Sequence, residues 1–292
     1  KEVNTVAGAG MKEIKTRIKS VESTKQITKA MELVSSSKFR KAKERAESAR
    51  PYFNTLYNTV QDIAKNTSNS RNVFLKERKV NNVCYIVIAG DRGLAGGYNS
   101  NILKAVIAHN KLGTGKVIPV GKKAKESLSK RGYEVIDYIE SVEKCVYEDA
   151  NRVAQAAMEA YKNGEVDEVN LVYTEFISAL SQEPKIVKLL PVTIDNTNTE
   201  KEVKKGKAAV QYLPSADAVL GYVLPKYVSG SVYGAIAESF ASEQAARRTA
   251  MESATDNANE MISKLELVYN RARQAAVTQE ISEIVGGAAA AK

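Results

Sequence analysis

Tryptophan is absent from this chain of 292 residues, histidine occurs once and cysteine twice. Each scarcity removes a chemistry. The single histidine, His109, has no cysteine or second histidine near it in sequence, so an ordinary zinc site lacks ligands. A Ser-His-Asp site would need a nucleophile motif such as GxSxG, and the sequence holds none. Cys84 and Cys145 are far apart and in no CxxC spacing, which argues against a metal site, and a structural disulfide is not expected in a reducing compartment. Cys84 lies in the apolar run 83–89 and reads as a buried, inert thiol. No apolar run approaches the ~20 residues that a transmembrane helix requires. The first residues lack the charged-then-apolar layout of a signal peptide, so the expectation is a chain kept in the cytoplasm that meets a membrane only through partners. Lys1 to Gly10 precede a start-like Met11 and read as an extension or a cloning remnant.

Glycine and proline are also missing from residues 235–285, which run into Gly286-Gly287. This predicts one helix ending at a glycine stop, roughly 75 Å long at a rise of about 1.5 Å per residue. Such a helix pairs along its length or lies inside another protein. Ala254, Ala258, Met261, Leu265, Val268, Ala272 and Ala275 alternate steps of four and three, the seam of a coiled coil. The candidate partner is Met11 to Arg50, with Ile14, Ile18, Val21, Ile27, Met31 and Val34 on a stripe. Charge favours the pairing. Residues 12–50 hold twelve Lys and Arg against five Asp and Glu, whereas residues 235–285 hold five against eight. Since the two helices are the two ends of the chain, everything between is inserted as a separate body. The expected division is 11–65 for the first helix, 80–212 for the body and 213–287 for the last helix.

The middle alternates strand and helix. Strands are expected at 83–89, 116–120, 133–138, 169–176 and 184–190, and helices at 100–110, 122–130 and 146–162. That order implies a mostly parallel, Rossmann-like sheet with helices on its faces, the final strand pair adding antiparallel edges. A lysine-rich stretch, Asp195 to Lys207, closes the body, and Gly221, Pro225, Gly230 and Gly234 are expected to break the pattern before the last helix settles.

Two segments invite a functional reading. Ala89-Gly90-Asp91-Arg92-Gly93-Leu94-Ala95-Gly96-Gly97-Tyr98-Asn99 follows a strand and opens a helix, where α/β proteins bind phosphate. Its glycines fit neither GxGxxG nor the Gly-Lys-Ser/Thr of a P-loop, so it reads as a tight turn with Asn99 or Ser100 as N-cap. The basic run Lys38-Phe39-Arg40-Lys41-Ala42-Lys43-Glu44-Arg45 has interleaved glutamate and matches no DNA- or RNA-binding motif. An acidic protein partner fits it better. The rival classes are a nucleotide-dependent enzyme using the Gly90 to Gly97 turn and a nucleic-acid adaptor using the net charge of +9.

The runs Met11-Lys12-Glu13-Ile14-Lys15, Thr24 to Val34 and Lys38 to Ala42 resemble the start of the gamma subunit of bacterial F-type ATP synthases. So do the Asp91-Arg92-Gly93-Leu94 turn with Asn99, the run Ala241 to Arg247, and Val277-Thr278-Gln279-Glu280 through Ala288. The resemblance covers the chain from Met11 onward. It departs at Ala95, where many members carry cysteine, and in lacking the inserted cysteine pair of chloroplast members, so thiol regulation of that kind is not expected. It implies a central rotor shaft without catalytic group or cofactor, at the cytoplasmic face of the cell membrane. The implied partners are three alpha and three beta subunits around the coiled coil, the epsilon subunit, and a c ring that supplies the membrane contact. By the same resemblance, Met31 faces an acidic loop of beta, with Lys38, Arg40 and Lys41 beside it. Arg247, Gln274, Thr278 and Glu280 match positions of coupling and beta contact, and Tyr212 falls near the foot that faces the c ring.

Overall fold

The computed structural model describes residues 2–65, 72–110, 115–179, 181–193 and 212–290, with side chains described from residue 10 to residue 288. Asp195 to Lys207 lies outside them. The elements are α1 (Glu2–Lys65), β1 (Val83–Ile88), α2 (Tyr98–His109), β2 (Lys116–Val120), α3 (Lys122–Ser129), β3 (Glu134–Val135), α4 (Tyr147–Lys162), β4 (Glu168–Phe176), β5 (Gln182–Leu190) and α5 (Ala216–Ala290). They form two compact units: Lys1–Val34 with Arg248–Lys292, and Ser35–Arg247.

In the second unit one sheet runs in the order β3-β2-β1-β4-β5. The six residues of β1 are all buried, as expected of a central strand covered on both faces. Alternation divides them. Cys84, Ile86 and Ile88 face a core with Val60 and Ile63 of α1, α4, and Leu220, Leu224 and Ile236 of α5. Val83, Tyr85 and Val87 face a smaller core with Ile102 and Val106 of α2 and Leu128 of α3. Strands β1, β2, β3 and β4 pair in parallel. Only β5 is antiparallel, across the short connection from β4, so β4 is interior rather than one of two antiparallel edges. The strand expected at 133–138 is reduced to Glu134–Val135. Beyond it the Tyr138 amide donates to the carboxylate of its neighbour Asp137 at 2.7 Å instead of to a ladder.

Helix α5 begins at Ala216 and passes through Gly221, Pro225, Gly230 and Gly234, which were expected to break it. Two of these glycines are contact residues. A Cβ at Gly230 or Gly234 would lie 2.9 or 2.8 Å from the ring of Phe53, so the pair, one turn apart, makes the groove in which that ring sits. The ring contact of Tyr57 with Tyr227 and the bonds of Arg45 to Tyr233 continue the packing, and the falling numbers on α5 make the two helices antiparallel. Gly286-Gly287 does not stop the helix, which continues through alanines, the best helix formers, to Ala290, the last described residue. Pro51 likewise stands inside α1, where its carbonyl accepts the Thr55 hydroxyl at 2.9 Å.

In the first unit α1 turns Met11, Ile14, Ile18, Val21, Lys25 and Thr28 inward at alternating steps of three and four. Helix α5 answers with Met251, Thr255, Ala258, Ile262, Leu265, Tyr269, Ala272, Ala276 and Gln279. The hydroxyls of Thr28 and Thr255 meet at 2.8 Å. The seam is therefore rotated from the expected one. Ala258, Leu265 and Ala272 belong to both, but Met261, Val268 and Ala275 lie outside and Ile262, Tyr269 and Ala276 take their places. On α1, Ile27 and Val34 are 58% and 55% exposed rather than part of the stripe.

Candidate functional site

The turn after β1 is built differently from the N-cap expected of it. Gly97 caps α2 with no side-chain bond, and Asn99 sits inside the first turn. From there its Oδ1 accepts the Gly90 amide at 2.8 Å and its Nδ2 donates to the Arg92 carbonyl at 3.1 Å, closing the loop on itself. Asp91 accepts the Ser141 hydroxyl at 2.8 Å and the Val142 amide at 3.2 Å, which ties the loop to the segment after β3. Leu94 at its tip has φ 62° and is 64% exposed.

The start of the turn faces a side chain of α5. A Cβ on Gly90 would meet Oε1 of Glu243 at 2.9 Å, so the backbone of this turn already faces a carboxylate from α5. Glu243 is ion-paired to Arg247 one turn on, and Arg247 reaches the Gly93 carbonyl at 3.4 Å. Both side chains are nearly buried. Burial pushes the Glu243 carboxyl above the usual carboxylate range, and the Arg247 cation only partly opposes the shift. An anion at Gly90 would meet that carboxylate, which weighs against the nucleotide reading of this turn. The sequence pointed to Arg247 but not to Glu243. The available signal is a Glu and an Arg four apart inside a run of Ala and Ser, a small-residue surroundings that a solvated ion pair does not need.

The remaining sequence candidates fall into separate places. Lys38 pairs with Glu143 at 2.7 Å, while Arg40 and Lys41 are exposed. Arg45, in the same basic run, is drawn inward: its Nη2 donates to the Cys145 carbonyl and to the Tyr233 hydroxyl, both at 2.7 Å, holding α1 against the α/β body. Met31, in the first unit, is half-buried. Gln274, Thr278 and Glu280 are exposed on the final stretch of α5, where the Thr278 hydroxyl donates to the Gln274 carbonyl at 2.9 Å. Tyr212 packs against the main core just before α5. His109 is exposed at the end of α2, its Nδ1 3.1 Å from the Tyr85 hydroxyl. Both thiols are free and buried, and burial pushes Cys84 up to about 12 and Cys145 to about 11. These are the environments of inert cysteines.

What the first unit offers is surface. Besides Ile27 and Val34, its helices expose Leu33, Met261, Leu267, Val268, Val277, Ile281 and Ile284. A helix pair that buries one stripe of each partner and leaves further large apolar residues bare is suited to a protein sleeve.

A family model described as ATP synthase matches residues 10–291. The chain is 48% identical over 288 residues to the ATP synthase gamma chain of Alkaliphilus metalliredigens, covering 98% of this chain and 100% of that one. It is 50% identical over 282 residues to the gamma chain of Ruminococcus albus, covering 94% and 96%. It is 46% identical over 296 residues to the sodium ion specific gamma chain of Acetobacterium woodii, covering 96% and 98%. Among solved structures it resembles a chain of the central stalk and c ring of the Tetrahymena thermophila mitochondrial ATP synthase, at 28% identity and a TM-score of 0.58 over 78% of this chain and 99% of that one. A chain of the Euglena gracilis mitochondrial rotor shares the fold, with a TM-score of 0.67 at 21% identity over 92% and 99%.

Proposed function

The chain belongs to the ATP synthase gamma family, the central stalk and rotor of the F-type enzyme, and on that premise we propose how its parts divide the work. The two-helix unit turns inside a sleeve of three alpha and three beta subunits. The α/β body, with an epsilon subunit, seats on the c ring, with Tyr212 at the foot. The rotor then lies at the cytoplasmic face of the cell membrane and is held there by its partners. No helix among the described residues is long and apolar enough to cross a membrane.

The supporting observation is the bare apolar surface of the first unit in a chain that matches gamma subunits almost end to end. A shaft that differs from side to side touches each beta subunit differently at each angle. Differential contact is how a partner with no catalytic group shifts a conformational equilibrium, and rotation thereby carries each nucleotide site through its states in order. Ion flow drives this towards ATP synthesis, and ATP hydrolysis drives it in reverse.

Met31 with Arg40 and Lys41 would meet an acidic loop of beta, with Lys38 at its ion pair beside them. Gln274, Thr278 and Glu280 would lie in the upper bearing, whose apolar lining meets Val277, Ile281 and Ile284. Arg247, ion-paired inside the body, would act by holding the turn that presents Arg92 and Leu94. Co-expression with alpha and beta subunits is expected to give a complex with one copy of this chain per hexamer. A chain that elutes unchanged as a monomer from that mixture overturns the reading.

A further inference from the structure

Strand β4 outlasts its neighbour. The last residue of β1 paired with it is Val87, opposite Val172, while β4 continues to Phe176. On the far side β5 pairs all the way to Phe176, so only the β1 side of the overhang lacks a strand. Unpaired backbone groups buried there would each cost free energy comparable to a lost hydrogen bond. Helix α5 supplies what β1 does not. The Thr174 amide donates to Ser239 Oγ at 2.9 Å, the Thr174 carbonyl accepts the Ser242 hydroxyl at 3.2 Å, and the Phe176 amide donates to Glu238 Oε1 at 3.2 Å. Both serines and Thr174 are buried, and the Tyr98 hydroxyl of α2 donates to the Ser239 carbonyl at 3.1 Å on the same stretch.

A helix ordinarily meets a sheet through apolar side chains, which are non-directional and let it slide or roll at little cost. Here the side chains at 238, 239 and 242 take the ladder positions of a missing strand, and hydrogen bonds weaken steeply with misalignment. Rolling α5 on the body would break all three together. The neighbours Ala237, Ala241 and Ala245 are small and buried, so they let the helix approach closely.

We propose that Glu238, Ser239 and Ser242 are positioning residues for torque transfer: by completing β4 they fix the azimuth of α5 on the α/β body and set the torsional stiffness with which that body drives the shaft helix. This deepens the rotor reading and rests on it.

The test uses the assembled enzyme with the hexamer fixed to a surface and a probe on the c ring, reading the width of the angular distribution at the pauses of ATP-driven rotation. Ser239→Ala with Ser242→Ala, and separately Glu238→Ala, are expected to widen that distribution. ATP hydrolysis by the hexamer and this chain, freed of the c ring, should stay unchanged. Glu238→Gln keeps an oxygen acceptor for the Phe176 amide and should retain the parental width. A merely structural role would lower the melting temperature of the variants and leave the width of assembled, rotating molecules alone. Parental width in the double serine variant and in Glu238→Ala overturns the proposal, as does a Glu238→Gln distribution as wide as that of Glu238→Ala. Failure of the unaltered complex to rotate would refute the rotor reading itself, which keeps the two failures apart.

Discussion

The Glu243–Arg247 pair gives the sharpest quantitative test of how the body is held together. Arg247→Leu leaves the Glu243 carboxylate against the Gly90 turn with no cation, and with Asp91 and Glu143 adding repulsion. Removing one partner of a buried pair costs about 3–5 kcal/mol, because the surviving charge stays desolvated. A domain of this kind has about 5–15 kcal/mol in total, so the variant should fold with a much lower urea midpoint. The double variant, Arg247→Leu with Glu243→Gln, removes both charges and keeps a side chain of the same shape beside Gly90. It should recover much of the loss, with a coupling energy of about 1–3 kcal/mol.

The pH dependence follows from the direction of the Glu243 shift. Its carboxyl is already raised in the folded chain, by burial first, and losing the opposing Arg247 raises it further. A carboxyl with a raised folded pKa binds its proton more tightly when folded, so stability falls as pH climbs from the unfolded value of about 4.3. The fall ends once pH passes the folded value. Below the unfolded value the penalty is absent. The deficit of Arg247→Leu against the parent should therefore be full near about pH 7 and shrink towards about pH 4. Urea unfolding followed by circular dichroism at both ends of that range measures it, since the chain has no tryptophan to report by fluorescence. A single variant within about 1 kcal/mol of the parent near neutrality, a deficit that does not shrink in acid, or a double variant no better than the single one would each refute the argument.

Gly234→Ala should destabilise by about 1–3 kcal/mol through overpacking, its Cβ falling 2.8 Å from the Phe53 ring, whereas Gly221→Ala, with nothing within 4 Å, should stabilise by up to about 1 kcal/mol; urea midpoints that order the two the other way would contradict the packing. Met31→Lys adds a cation near a basic run and should lower the ions pumped per ATP hydrolysed in vesicles, since a close pair at an effective dielectric of about 20 is worth roughly 4 kcal/mol before desolvation; an unchanged ratio counts against that contact. Deleting residues 278–292 removes the tip of α5 and spares the seam from Met251 to Ala276, so the complex should assemble and hydrolyse ATP more slowly. Normal assembly with no hydrolysis at all would show that the tip does more than bear the shaft.

The long helices, the inserted sheet and the family were legible because each rests on a pattern with one physical solution. The seam was not, and the reason lies in particular residues. At three places on α5, each seven residues from the next, two adjacent side chains compete for the inward place: Met261 with Ile262, Val268 with Tyr269, Ala275 with Ala276. On α1, Ile27 outranks Thr28 in hydrophobicity and yet stands outside it. Periodicity ranks apolar residues and cannot say which of two partners each one serves. The glycines failed for a related reason: as a string, Gly230 and Gly234 are helix breakers, and only the Phe53 ring shows why they are tolerated. The burial of the Glu243–Arg247 pair shows only once the fold is known.

That misreading of the seam carries functional weight. In the first unit the helices meet through Met11, Ile14, Ile18, Val21 and Thr28 of α1 and Met251, Thr255, Ala258, Ile262, Leu265, Tyr269 and Ala272 of α5, while Ile27, Leu33, Val34, Met261 and Val268 face outward. A side chain of the Val, Leu or Met kind gains about 1.5–3 kcal/mol on full burial, and small or hydroxyl-bearing ones gain less. Part of the large apolar surface of these helices therefore lies outside their own contact and is left for whatever surrounds them. For a static scaffold that would be a liability, since such a surface aggregates. For a shaft it is the property required. The energy that favours one angle over another has to sit on the outer face, where rotation changes which residues each surrounding subunit touches, and a seam that held all of it would turn with the helices and distinguish no angle from any other.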